Sequence, residues 1–501
     1  MICNFNSEYS FFLAILIKIK RLKNTCLFRF LVGSLLLIAS QGFAQLVPHL
    51  SLQGHWNGKS GKDSFNSLWG WSGNGREYAI LGAVDSIYFF DITDPKKPKR
   101  CAAKAGRYND CKNREFKTYK NYCYAIGDQG LSSLQIFDLK YLPDSAHKVY
   151  DSDTLSMQAH NLFIDKDKLY LAWNKVNIKG NATQFPMTVF SLKNPEAPVF
   201  MANLASPYNI INGQKKYFFQ IVHDVFVRND TAYCSCGNDG LYIFNYKDPK
   251  NPVMIGFYVA RNGFGDYNHS NWLSEDGNIL VNTSENNGVP VTLFDVSDLK
   301  DSTKVPFELQ PLSSFGSNTS LGSTGHNAFI KDNLVYMSYY QDGAVVFDIT
   351  DPVHVKETTC YDTYPQNGTG NYSPWDGCWN VYPFFKSGAV IASDMTNGLF
   401  VLKMDSVSGI KKNHFTDDQL DIKVLENPFH DRINLLLQSK TDDNIRLKVY
   451  DIMGKQLYQS YFQFHAGSST LSIPANEFPI GTIILNISSQ SGSYSRKLIK
   501  N

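Results

Sequence analysis

The chain lacks any marked excess of charge of one sign. Its 48 lysine and arginine side chains meet 46 aspartates and glutamates, for a formal charge of +2. That balance gives no case for a nucleic-acid partner, which calls for a basic face. Long apolar runs are missing after residue 44, so no transmembrane segment is expected in the mature chain. Cysteine is sparse there too, with Cys101, Cys111, Cys123, Cys234, Cys236, Cys360 and Cys378 making an odd set of seven. An oxidising exterior would permit Cys101 to pair with Cys111, or Cys360 with Cys378. Cys234-Ser-Cys236, with no second pair, is a weak zinc signal and is expected to be buried as small hydrophobes. Absent as well are a nucleophile with a paired base, a Walker loop, a dinucleotide fingerprint and a zinc-protease helix. These gaps exclude most enzyme classes that announce themselves by motif.

What is present is a ruler. Phe90, Phe137, Phe190, Phe244, Phe294, Phe347 and Leu402 recur at gaps of 47, 53, 54, 50, 53 and 55 residues, each inside a short apolar run. A period near fifty carried by strands means radial repetition of a small sheet. The unit from Val222 to Val259 shows the grammar. His223 to Val227 alternates, Asp230 to Cys236 follows, Asn238-Asp239-Gly240 is a hairpin turn, and Leu241 to Asn245 is the third strand. Lys247-Asp248-Pro249 turns again before Pro252 to Tyr258. Four antiparallel strands in one meander make a propeller blade.

Seven such units are legible, the last with only three strands: Trp379 to Tyr382, Ala389 to Ser393 and Leu399 to Lys403. Its missing outer strand is expected from Leu46 to Trp56, which would close the ring and hide both open edges. The expected fold is therefore all-β: a seven-bladed β-propeller over residues 45–404, its N-terminal strand closing the last blade. A polar linker (405–420) and a small C-terminal β-sandwich (421–501) follow, the latter from alternating strands such as Ile445 to Tyr450 and Ile483 to Ile487. The first 44 residues are expected to be a signal peptide. Lys18, Lys20, Arg21, Lys23 and Arg29 precede the apolar run Phe30 to Ala39, and Gly42-Phe43-Ala44 supplies small residues for cleavage.

The C-terminal segment resembles the type A sorting domain of the type IX secretion system of Bacteroidota. The residues carrying this are Glu426-Asn427-Pro428-Phe429, Val449-Tyr450-Asp451 through Gly454-Lys455, Phe478 to Gly481 and Arg496 to Lys500. The resemblance implies export through the periplasm, engagement of the type IX machinery, and release or attachment at the outer cell surface. The middle region resembles LVIVD-repeat propellers of the choice-of-anchor B family. It does so at Leu68-Trp69-Gly70, Phe90 to Pro95, Ala159-His160-Asn161, Val222-His223-Asp224, Asn268-His269-Ser270, Gly325-His326-Asn327, Phe347 to Pro352 and Trp379 to Pro383. Blade two departs, since Arg114-Glu115-Phe116-Lys117 lacks the usual Trp. That family hands over no activity.

Candidate chemistry lies where blades begin. His160, His223, His269 and His326 each open a blade, and first strands line a propeller's channel. Four imidazoles converging at one mouth would suit a divalent metal. Glu115, Asn161, Asp224 and Asn327 are placed to orient rings or bind a ligand. Trp69, Trp71 and Trp379 are expected in the same layer of the remaining blades, where packing is the plainer role and Trp69 and Trp379 are further ligand-binding candidates. The plainer reading is that each histidine bonds neighbouring backbone and pins blade to blade. Asp94, Asp248 and Asp351 read as turn residues. Two functions stand: a binding or scaffolding propeller for a protein or glycan, and a metal-dependent enzyme with a histidine-lined channel. The second rests on fold-level analogy with selenium-binding-protein propellers.

Overall fold

Each ruler mark sits in the third strand of a four-stranded antiparallel sheet, at or beside the point where its pairing with the outer strand slips by one residue. The slip is a β-bulge, which tightens the strand's twist. A large buried apolar side chain, Phe in six blades and Leu402 in the seventh, fills the wedge between blades there, and all seven marks are at most 2% exposed. The computed structural model describes residues 49–58, 64–260, 266–300, 306–319, 322–367, 375–405, 420–439, 441–451, 456–488 and 493–501. The expected signal peptide and nearly all of the expected linker lie outside them.

The first strands are Phe65–Gly73, Arg114–Tyr119, Asn161–Asp165, Asp224–Arg228, Asn268–Leu273, Gly325–Lys331 and Cys378–Tyr382. Each packs beside the next, and the last returns to the first, so seven sheets close into a ring. The seam is zipped as the sequence suggests. His49–Trp56 pairs antiparallel with Gly398–Asp405, Leu50 opposite Met404 and Trp56 opposite Leu399. Turn aspartates behave as read: the amides of Lys96, Lys250 and Val353 donate to the side chains of Asp94, Asp248 and Asp351.

Several features depart from expectation. Blade three is longer than the others through extra residues at Val176 to Pro186. Its second and third strands, Lys168–Ile178 and Asn181–Ser191, continue as a long hairpin. A second hairpin, Tyr208–Ile211 with Gln214–Tyr217, rises between blades three and four. Phe307–Glu308 adds a parallel fifth strand to blade four. The disulfides do not form, and all seven cysteines are thiols. Cys101 donates to the Phe89 carbonyl from an outer strand, while Cys111 is buried and donates to Asn113 O. Cys360 lies on the outer strand of blade six and Cys378 opens blade seven, one at the rim and one at the channel. Cys234 and Cys236 are buried as expected, although Cys236 lies just beyond its strand.

The chain divides into two compact units at Asp405/Ser406. In the second unit, Leu420–Val424, Arg432–Ser439 and Gly467–Pro474 form one sheet. Gln456–Phe464, Asp443–Asp451, Gly481–Ser488 and Ser493–Lys500 form the other. Leu435, Leu437, Leu447, Val449, Leu485 and Ile487 fill the space between them.

The seam can be tested by two leucines of one strand, since Leu50 is fully buried while Leu52 is 43% exposed. Leu50→Ala is expected to cost about 2–5 kcal/mol in denaturant unfolding, and Leu52→Ala less than about 0.5 kcal/mol. Equal costs would mean that the strand does not close the core.

Candidate functional site

A second bulge, at the start of the first strands, builds the channel. His160 and Asn161 both face Ala172, and His223 and Asp224 both face Ser235. Pairing slips in the same place after Asn268, after Gly325 and after Cys378. Two residues against one turns consecutive side chains toward the same side. Each such strand therefore sends a His (or Trp379) and the next polar residue into the channel.

Blade two has no slip, because Arg114 to Tyr119 pairs residue for residue with Tyr122 to Gly127. Arg114 consequently points away and is buried against the carbonyls of Ala83, Val84 and Tyr108. Glu115 and Lys117 point inward instead. The missing Trp noticed in the sequence is thus a change of register as well as of residue.

The mouth carries a row of imidazoles. Ring centroids are 4.1 Å apart for His160 and His223, 4.6 Å for His223 and His269, and 4.3 Å for His269 and His326. Trp379 continues the row 5.0 Å from His326. His269 Nδ1 lies 3.2 Å from the His326 carbonyl, and His326 Nδ1 contacts that of Trp379. As donors, these rings do pin blade to blade, and the same bonds leave each Nε2 with its lone pair. Both Nε2 atoms face Glu285, at 3.6 Å from Oε2 and 3.7 Å from Oε1. Tyr340 donates to that carboxylate at 2.7 Å.

Burial, with the neighbouring imidazoles, pushes His223 well below the usual histidine range and His269 and His326 down to about 3. Three of the four rings are therefore neutral at ordinary pH. His160 differs: burial lowers it, but Asp128, bonded to Nδ1 at 2.7 Å, outweighs burial and raises it.

Beneath the imidazoles, Glu115, Asn161, Asp224, Asn327 and Asn380 line a cavity of about 20 Å³. That is room for about one water. Ser67 donates to Glu115 at 2.8 Å. Burial raises Glu115 against the pull of Lys117, and lowers Lys117 against the pull of Glu115 and Asp224. Burial also lifts Asp224 to about 7, opposed by Lys117. Below this level the channel ends in rings. Trp272 touches Phe226 at 4.6 Å, Phe329 at 5.0 Å and Phe384 at 5.4 Å. Trp69 belongs to this floor, 5.0 Å from Tyr382 and with Lys117 Nζ 4.1 Å from its ring centre. It is not in the histidine layer, because it lies three residues beyond the histidine's place in its strand, level with Trp272 and Phe329. Trp71 leaves the channel altogether, donating to Lys120 O.

The structure thus gathers His160, His223, His269, His326 and Trp379 at one level, and Glu115, Asn161, Asp224 and Asn327 at the next. Sequence reading missed Asp128, Glu285 and Tyr340. All three stand directly after the end of a second strand, at matching positions of blades two, five and six. Aligning the strand ends, rather than the strand starts, would have found them.

Comparison with known proteins bears on the second unit. Residues 423–501 match the secretion system C-terminal sorting domain. This sorting domain, of the type IX system, makes the chain a secreted or outer-surface protein and implies contact with the secretion machinery. No helix among the described residues is long and apolar enough to cross a membrane. No curated protein sequence matches the chain. Among solved structures, it is similar to the periplasmic gluconolactonase PpgL of Pseudomonas aeruginosa, at 11% identity and TM-score 0.45, covering 82% of this chain and 99% of that one. It is similar also to the WD40 propeller domain of Doa1, at 10% identity and TM-score 0.45, covering 71% and 98%. A third is Saccharomyces cerevisiae Sqt1, at 8% identity and TM-score 0.42, covering 71% and 98%.

Asp224 allows a test of channel electrostatics. Its raised pKa means that the folded state holds a proton the unfolded state releases between pH 3.8 and about 7. Stability from this group is therefore present in acid and lost as pH rises through that window. Asp224→Asn should raise the unfolding midpoint more at pH 8 than at pH 5. The gain at pH 8 is expected to be about 1–3 kcal/mol, at about 1.4 kcal/mol per pKa unit less the lost attraction to Lys117. A midpoint shift independent of pH would contradict the assignment.

Proposed function

We propose that this chain is an exported binding propeller that engages a protein or glycan on the face where its channel opens. In this reading it is an LVIVD-type, choice-of-anchor B protein of a Bacteroidota bacterium. The 1–44 signal carries it to the periplasm and the sorting domain carries it across the outer membrane.

The observation that carries the reading is the apolar relief on that face. Histidines open the first strands at the mouth, so antiparallel succession brings the fourth-to-first connections and second-to-third turns to the same side. Both unexpected hairpins of blades three and four are such segments. Tyr208, Ile210, Ile211 and Tyr217 on the shorter hairpin are 45–62% exposed, and Ile178 at the tip of the longer one is 44% exposed. Trp375, in the connection before blade seven, is 49% exposed. Exposed aromatics clustered on loops of a rigid scaffold favour recognition. The narrowness of the channel argues in the same direction, since nothing larger than a water fits below the imidazoles.

The test is binding of the purified full chain to arrayed glycans and to cross-linked surface proteins. The triple variant Tyr208→Ser, Ile210→Ser, Tyr217→Ser should lose about tenfold or more of the bound signal, as expected for removal of aromatic anchors. Its melting temperature should not change. Undiminished binding by the triple variant would sink the reading.

A further inference from the structure

The mouth cluster has a property that surface recognition does not use. Three imidazoles and one carboxylate are gathered at the mouth with no hydrogen bond between the rings and the carboxylate to explain it. Atoms of His223, His269 and Glu285 able to bind a metal all lie within 4.8 Å of one another. His223 is only 4% exposed, yet its Nδ1 finds no well-formed hydrogen bond, only a loose approach to the His269 backbone. A buried polar atom left unbonded costs about 1–3 kcal/mol, so a cluster with such an atom at its centre is poor design for stability alone.

We propose that His223, His269, His326 and Glu285 hold one divalent transition-metal ion at the mouth of the channel. The supporting bonds are those a metal site needs. A ligating histidine donates its second N–H to a carbonyl or carboxylate, which fixes the tautomer and aims the lone pair. His269 does this through the His326 carbonyl, and His326 through the Trp379 carbonyl. Glu285 is oriented in turn by the Tyr340 hydroxyl, leaving Oε2 toward His269. Imidazole-rich donors select zinc, copper or iron over calcium and magnesium. His160 is the neighbour rather than a ligand. It stands at the end of the row, outside the group of donor atoms that all lie within 4.8 Å of one another, with its Nδ1 held by Asp128.

The experiment uses the full chain, stripped with chelator and titrated with Zn²⁺ and, separately, Cu²⁺ by calorimetry, with metal content measured by mass spectrometry. One ion per chain is expected. His269→Ala and Glu285→Gln should each weaken binding by about a hundredfold or more, and Tyr340→Phe, which only orients Glu285, by about tenfold. His160→Asn should retain the ion. Thermal melts of the metal-free proteins report folding, and Glu285→Gln keeps size and shape should His269→Ala fail to fold. Co²⁺ loaded in place of zinc should give visible bands that vanish in Glu285→Gln. Substoichiometric metal in the unaltered chain would overturn the proposal. So would metal content unchanged in both ligand variants, or loss of the ion in His160→Asn equal to that in His269→Ala.

Discussion

Everything at the channel depends on the pairing of His49–Trp56 with Gly398–Asp405. Seven wedge-shaped sheets stay in a circle only if the first and last are joined. Contacts between blades are mostly side chain against side chain, with a few single backbone bonds such as Ala159 N to Gly127 O and Phe65 N to Met395 O, and no other junction has a full ladder. Backbone hydrogen bonds across the seam are directional and set its register, so the angle between blades seven and one cannot drift. With the circle closed, the first strands cannot spread, and imidazoles from four different blades are held about 4 Å apart, ring to ring. No local sequence preference would create such proximity between residues separated by about 50 positions or more.

Two kinds of bulge divide the labour. The outer one, at the ruler aromatics, shapes each blade as a wedge and is apolar throughout. The inner one, at the strand starts, spends regular pairing on an extra inward side chain. Blade two lacks the inner bulge and buries Arg114 behind the wall, where backbone carbonyls solvate it. In exchange it sends a Glu and a Lys into the channel. Burying them singly would be prohibitive. Side by side, and with Asp224 across from them, each lowers the other's desolvation penalty, as the opposed influences on their ionisation show.

The ring, its blade count and its seam were legible because they rest on a long period and on edge strands that need partners, both visible as patterns of Phe, Gly and Pro. The four histidines were legible because they occupy one place in the repeat. Glu285, Tyr340 and Asp128 were not, since each is a lone polar residue after a strand, and only the ring's curvature brings them over the imidazoles. Trp69 was misplaced by a count of three residues, which carries it past the polar level to the floor of the channel. The disulfide expectation failed for a related reason. Sequence proximity of Cys101 and Cys111 says nothing about depth, and the chain sets one on an outer strand and the other beneath the surface.

The aromatic floor gives the passage two unlike ends. Trp272, Phe226, Phe329 and Phe384 crowd one end with apolar rings, while the other is ringed by imidazoles. A polar species approaching Asp224 or Glu115 meets hydrogen-bonding groups from the imidazole side only, so the interior carboxyls face the doorway where any occupant would sit.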